Sequence, residues 1–163
     1  ERMLQAYNMK HLGFTMVELV VVLIITGVLA AVAVPRFFVT QQYRDRGFYD
    51  QALAITRYAQ KSAIALRRNL CVNIVSATLS INLTYASAAG SSSTCDTNLP
   101  SPVGGTAPFT VTAQTGVTLS SSSTPIIFTA LGSVSSAGAT NTITVSSRTI
   151  TVVTNTGYVS GVQ

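Results

Sequence analysis

Between residues 14 and 39 the chain carries one acid, Glu18, and one base, Arg36, in an otherwise apolar run. Wound as a helix, this run extends about 37 Å at 1.5 Å per residue, enough to cross about 30 Å of hydrocarbon. A carboxylate inside such a segment costs about 2.5–3.5 kcal/mol near the bilayer centre, so Glu18 calls for a partner. A chain with this run buries it in lipid or against other helices.

Composition agrees. Of the 163 residues only 9% are charged and 47% are hydrophobic, which suits a membrane-anchored or filament-packed chain better than a free one. A secretory signal peptide is the plain alternative, with Ala31-Val32-Ala33 as a cleavage triplet, but its apolar region would be about 7–15 residues and this run is longer. The flanking charges conflict with an external domain: Arg2 and Lys10 precede the run, whereas Arg36, Arg44 and Arg46 lie at its far end and beyond. The motif around Glu18 and the two cysteines outweigh that count.

Cys71 and Cys95 are the only cysteines and form no C-x-x-C pair. Bonded, they would close a loop of about 25 residues for roughly 3.5 kcal/mol in the chain-entropy model. Two buried free thiols are the alternative. Placement outside the cytoplasm favours the bond.

Beyond the apolar run, Phe48, Ala52, Ile55, Ala59, Ala63, Leu66 and Leu70 recur at steps of three and four and form one stripe on a helix. Arg44, Asp45, Arg57, Lys61, Arg67 and Arg68 lie largely off it. The expectation is one helix over residues 14–68, with kinks at Gly27 and Pro35, since proline removes a backbone hydrogen bond and crowds the preceding turn. After residue 71 the helical period ends. Short strands are expected at 72–75, 79–83, 109–111, 117–119, 126–128, 142–145, 149–152 and 158–159, with a turn at 146–148. Segment 86–106 is rich in Ser, Ala, Gly and Pro and reads as a loop that a bond at Cys95 would hold down, and segments 120–124 and 133–141 are rich in Ser, Gly and Ala and read as mobile loops.

Gly13-Phe14-Thr15-Met16-Val17-Glu18 followed by the apolar run resembles the cleavage and methylation motif of type IV pilins and type II secretion pseudopilins. The phrases Ile127-Phe128-Thr129-Ala130-Leu131-Gly132 and Gly157-Tyr158-Val159, with the hairpin over 142–153, resemble the GspH/FimT branch of minor pilins and pseudopilins. The resemblance implies an α+β pilin-like fold, a long N-terminal helix on a small antiparallel β-sheet domain. It divides the chain into a leader at 1–13, an assembly helix at 14–39, an amphipathic continuation at 40–70 and a β domain at 71–163. A start at Met9 would make residues 1–8 an over-extension.

The same resemblance implies cleavage by a prepilin peptidase between Gly13 and Phe14 and N-methylation of the Phe14 amine. Glu18, one helical turn on, would then pair with the Phe14 amine of a neighbouring subunit. Implied partners are other pilins or pseudopilins, the peptidase, inner-membrane lipid and an inner-membrane assembly platform. The place implied is a single pass through the bacterial inner membrane with the C-terminal domain in the periplasm, followed by a filament. A tethered binding domain that never polymerises is the reading from another class.

Catalysis has little to build on. The one histidine, His11, lies in the leader, and beyond it the acids are Glu18, Asp45, Asp50 and Asp96. No His-paired nucleophile, metal set, phosphate loop or cofactor site can be assembled from these. The net charge of +5 and the cations Arg57, Lys61, Arg68 and Arg148 invite a DNA-binding reading. Without interleaved aromatics, such cations more often form a solvated face.

Overall fold

The computed structural model describes residues 13–89, 94–136 and 138–162, and leaves the side chains of 34–39 outside the description. It divides into two compact units, Glu1–Val39 and Thr40–Gln163. The leader lies outside the described residues except for Gly13. Helix α1, Met16–Leu66, is the one helix among the described residues. Gly27 and Pro35 both fall inside it, and the Pro35 side chain is among those not described.

In the second unit α1 presents Phe48, Tyr49, Ala52, Ile55, Thr56, Ala59 and Ala63 to the core. The buried Thr56 hydroxyl donates to the Ala52 carbonyl at 2.7 Å, so it carries no unpaired proton into the core. The expected stripe runs one turn too far. Leu66 is 43% exposed and Leu70 belongs to a strand. The helix stops because Arg67 takes a left-handed conformation, φ 52°. The Arg68 amide then donates to Ala63 and the Arg67 amide to Ile64, each at 3.2 Å. This is the Schellman pattern that satisfies the last helical carbonyls.

The strands form two antiparallel sheets. The first runs β3 (Thr97–Asn98), β2 (Ser80–Tyr85), β1 (Leu70–Val75) and β6 (Ile126–Phe128), with β4 (Thr110–Thr112) also on β2. The second runs β5 (Leu119–Ser121), β7 (Thr140–Val145), β8 (Arg148–Val153) and β9 (Val159–Gly161). Along β7 and β8, Ile143, Val145, Ile150 and Val152 point into the core while the threonines between them stay half exposed. The turn between these strands is two residues, Ser146 and Ser147, because Arg148 already pairs with Val145.

Three expected loops are more ordered than their composition suggests. Segment 86–106 contains β3, and Cys95 within it is bonded to Cys71. Segment 120–124 overlaps β5, and the Thr124 hydroxyl accepts from the Ile74 amide and donates to the Ile74 carbonyl. Segment 133–141 ends in β7 at the buried Asn141. Its amide donates to Ser136 at 2.8 Å and to Thr154 at 3.4 Å, and its oxygen accepts from Ser123 at 2.6 Å. Serine and asparagine hydroxyls and amides thus replace backbone pairing where the strands end. Among the described residues no buried side-chain nitrogen or oxygen lacks a partner.

Candidate functional site

At the start of α1, Gly13, Phe14 and Thr15 lie outside the helix. The Leu19 amide donates to the Thr15 carbonyl at 3.2 Å, and the Glu18 amide donates to the Thr15 hydroxyl at 3.2 Å. Thr15 is therefore the N-cap and Glu18 the third helical residue, where a carboxylate faces the positive end of the helix dipole. Gly13 is exposed, and a Cβ built there would meet nothing within 4 Å. Phe14 is 81% exposed.

Met16–Ala33 has a mean hydropathy of 2.7 and none of it is buried within the chain. It is long and apolar enough to cross a membrane. Its one interior hydroxyl, Thr26, is kept inside the helix by donating to the Val22 carbonyl at 2.7 Å and reaching that of Leu23 at 3.1 Å. Lipid demands this internal pairing. Gly13, Phe14 and Glu18 are thus gathered within six residues at one helix end, with Thr15 between them. Thr15 as a cap was missed in the sequence reading, although a threonine three places before a glutamate is its signature.

The cations Arg57, Lys61, Arg68 and Arg148 are not gathered in that way. Arg57 donates to the Val159 carbonyl at 3.3 Å, which covers an edge position of β9. Arg68 donates to the carbonyls of Ala86 and Ser87. Arg148 lies over the buried Tyr49 ring at 5.7 Å from its centroid. Lys61 borders a shallow groove of ≈ 580 Å³ between α1 and the first sheet, lined by Tyr58, Leu66, Tyr85 and Leu99. Among the acids, Asp45 accepts from Ser146 at 2.9 Å and ties α1 to the β7–β8 turn.

Asp96 accepts from the Ser87 hydroxyl at 2.5 Å, the Ser87 amide at 2.7 Å and Thr97 at 3.1 Å. These donors, the Ser87 hydroxyl foremost, hold its carboxyl below the ordinary value of 3.8. Among the described residues no three His, Cys, Asp or Glu side chains come together as a metal set.

The two phrases quoted for the GspH/FimT branch meet in space. Gln60 of α1 donates to the Gly132 carbonyl at 3.3 Å and to the Thr156 carbonyl at 3.1 Å. A Cβ on Gly157 would stand 1.8 Å from the Gly132 oxygen, so only glycine fits there. Gln60 itself carried no signal in the sequence.

Residues 8–34 match the family described as the prokaryotic N-terminal methylation motif. The fold matches the type IV minor pilin FimU of Pseudomonas aeruginosa in its P21 crystal form. The TM-score is 0.53 at 13% identity, over 76% of this chain and 92% of FimU. A P65 crystal form of FimU gives 0.49 at 14% identity, over 75% of this chain and 92% of that one. A search of curated protein sequences found no match. The chain thus carries the methylation motif at its N-terminus and, beyond it, a pilin-like fold. A protein of known structure with this architecture is described as a type IV minor pilin.

Proposed function

We propose that the chain is a minor pilin or pseudopilin of the GspH/FimT type, a non-enzymatic subunit of a filament. It is cut between Gly13 and Phe14 by a prepilin peptidase and methylated on the new amine. Residues 14–39 hold it in the bacterial inner membrane, with the domain of residues 40–163 in the periplasm. An assembly platform then draws it into the filament. The observation that carries this reading is a methylation-motif match over a wholly unburied apolar helix that holds one acid in its first turn.

The physical step is charge neutralisation. Hydrolysis between Gly13 and Phe14 creates an ammonium next to lipid, and Glu18 is a carboxylate in the same layer. Pairing Glu18 of an incoming subunit with the amine of one already in place removes two charges that lipid makes costly, and it fixes the register. The disulfide between Cys71 and Cys95 suits an oxidising compartment.

A type IV pilus is favoured over a type II secretion pseudopilus, since a protein of known structure that shares the fold is a type IV minor pilin. DNA binding has less support, because Arg57, Arg68 and Arg148 each spend the guanidinium on a partner within the domain. In the test, Glu18→Ala inserts into membranes like the parent but falls at least about tenfold in the sheared filament fraction, from loss of a charge-paired contact. Normal incorporation of that variant would overturn the pairing mechanism.

A further inference from the structure

We propose that Thr15 is a positioning residue for the processing step. Its hydroxyl sets where α1 begins and so keeps the Gly13–Phe14 bond extended and open to a peptidase. This rests on the reading of Gly13–Phe14 as the processed bond.

Only Phe14 separates the cap from that bond. Thr15 supplies both the carbonyl for the first helical bond, from Leu19, and the hydroxyl that accepts from the Glu18 amide. The first amides of any helix lack partners within it. In water they can be left to solvent. At the edge of an apolar layer water is scarce, and an unpaired amide is far more costly. Without the Thr15 hydroxyl, the cheaper outcome is for the helix to grow toward the N-terminus and recruit the carbonyls of Phe14 and Gly13.

That growth would block hydrolysis. Water must add to the Gly13 carbonyl, which becomes tetrahedral, before the C–N bond breaks and Phe14 leaves as an amine with a proton from the enzyme or solvent. A carbonyl held in a helical hydrogen bond is neither exposed nor free to change shape.

Gly13 works in the same direction. Glycine is among the poorest helix formers, about 1 kcal/mol below alanine. Nothing within 4 Å of its Cβ position requires it to be glycine. The two residues form a stop. Thr15 caps the helix, and Gly13 makes growth past the cap unfavourable.

The test uses the full chain in membrane vesicles with a prepilin peptidase, followed by the mass shift on leader loss. Thr15→Val keeps the shape and removes the hydroxyl, and its cleavage should slow about fivefold, the usual scale of a lost cap. Thr15→Ser and Thr15→Asn cap well with different shapes and should stay within about twofold of the parent. In detergent micelles the Glu18 amide of Thr15→Val should exchange hydrogen about fivefold faster.

Parent-rate cleavage of Thr15→Val would overturn the inference while leaving the pilin reading intact. So would Thr15→Asn as slow as Thr15→Val, because the enzyme would then be reading side-chain shape rather than the cap. A parent chain left uncut between Gly13 and Phe14 would remove both.

Discussion

Over Met16–Ala33 every large apolar side chain is exposed, from 46% at Val20 and Val21 to 86% at Met16. Between residues 48 and 63 the same helix buries Phe48, Tyr49, Ile55 and five small residues, Ala52, Thr56, Ala59, Ser62 and Ala63, in a core shared with two sheets. One element thus serves two solvents. The second unit is complete, with a closed core and, among its described residues, buried polar side chains that all find partners. In the first unit the apolar side chains of Met16–Ala33 are all exposed among the described residues. An exposed apolar surface of this size suits lipid or other helices. The division therefore sets an expectation: damage to the second unit unfolds it, while damage to the first changes where the chain resides and what it assembles with.

Two glycines give the sharpest contrast. Gly157 has φ 64° and no room for a Cβ beside the Gly132 carbonyl, whereas a Cβ at Gly27 meets nothing within 4 Å. Gly157→Ala should lower the stability of the domain by about 4 kcal/mol, from left-handed strain plus a backbone clash. Gly27→Ala should leave that stability unchanged and can only help the local helix. Thermal unfolding of both variants in detergent, followed through tyrosine near-ultraviolet dichroism, decides this. Equal loss in both would mean that the two units do not unfold independently.

The disulfide tests the same division with a somewhat smaller effect. Cys71 and Cys95 are 24 residues apart and bonded. The bond ties β1 to the segment that carries β3 and Leu99. Replacing both, as Cys71→Ala with Cys95→Ser, should cost about 3.5 kcal/mol in the loop-closure picture. Urea unfolding of the variant against the parent measures it. Membrane insertion, which belongs to the first unit, should not change. A variant with the parent's urea midpoint would show that the hydrogen bonds to Ser87 and Asn98's strand already hold the segment.

Legibility in the sequence also differed between regions. At the N-terminal end the motif was legible because its signals are local: Gly13, Phe14 and Glu18 stand at fixed steps in an apolar run, and residues 8–34 match the methylation-motif family, although the Thr15 cap between them went unread. The alternating Thr and Ile or Val of β7 and β8 was equally plain, as was Ile126–Phe128, since period two survives in any half-buried strand. What was hidden depends on distant partners. β3 is two residues long and exists because it pairs with Thr84 and Tyr85 of β2. The helix end at Leu66 was invisible because arginine, not glycine, takes the left-handed cap. Tyr49 was not part of the expected stripe, yet it is 1% exposed, with its hydroxyl donating to the Val162 carbonyl and Arg148 over its ring. The serine-rich segments looked mobile, and only the placement of distant partners such as Asn141 and Ile74 shows what their hydroxyls bind.

The smallest expected effect comes from Asp96, and its sign follows from its donors. The Ser87 hydroxyl and amide favour the carboxylate, so the folded chain holds this proton less tightly than an unfolded one. Stability from this source is fully present above the ordinary carboxyl value of 3.8 and is lost as pH falls through the lower folded value. Between pH 5 and 8 it contributes no slope. The group is on the surface, so salt screens part of the effect. Asp96→Asn keeps an oxygen for the Ser87 amide and removes the charge. Its urea midpoint should lie slightly below the parent's at pH 6, and the gap should narrow as pH falls below the ordinary carboxyl value of 3.8. A gap that widens in acid would mean that Asp96 is favoured in its protonated form, and that the three donors do not set its titration. Acid should leave the first unit's membrane insertion untouched through this group, because Asp96 lies wholly within the second.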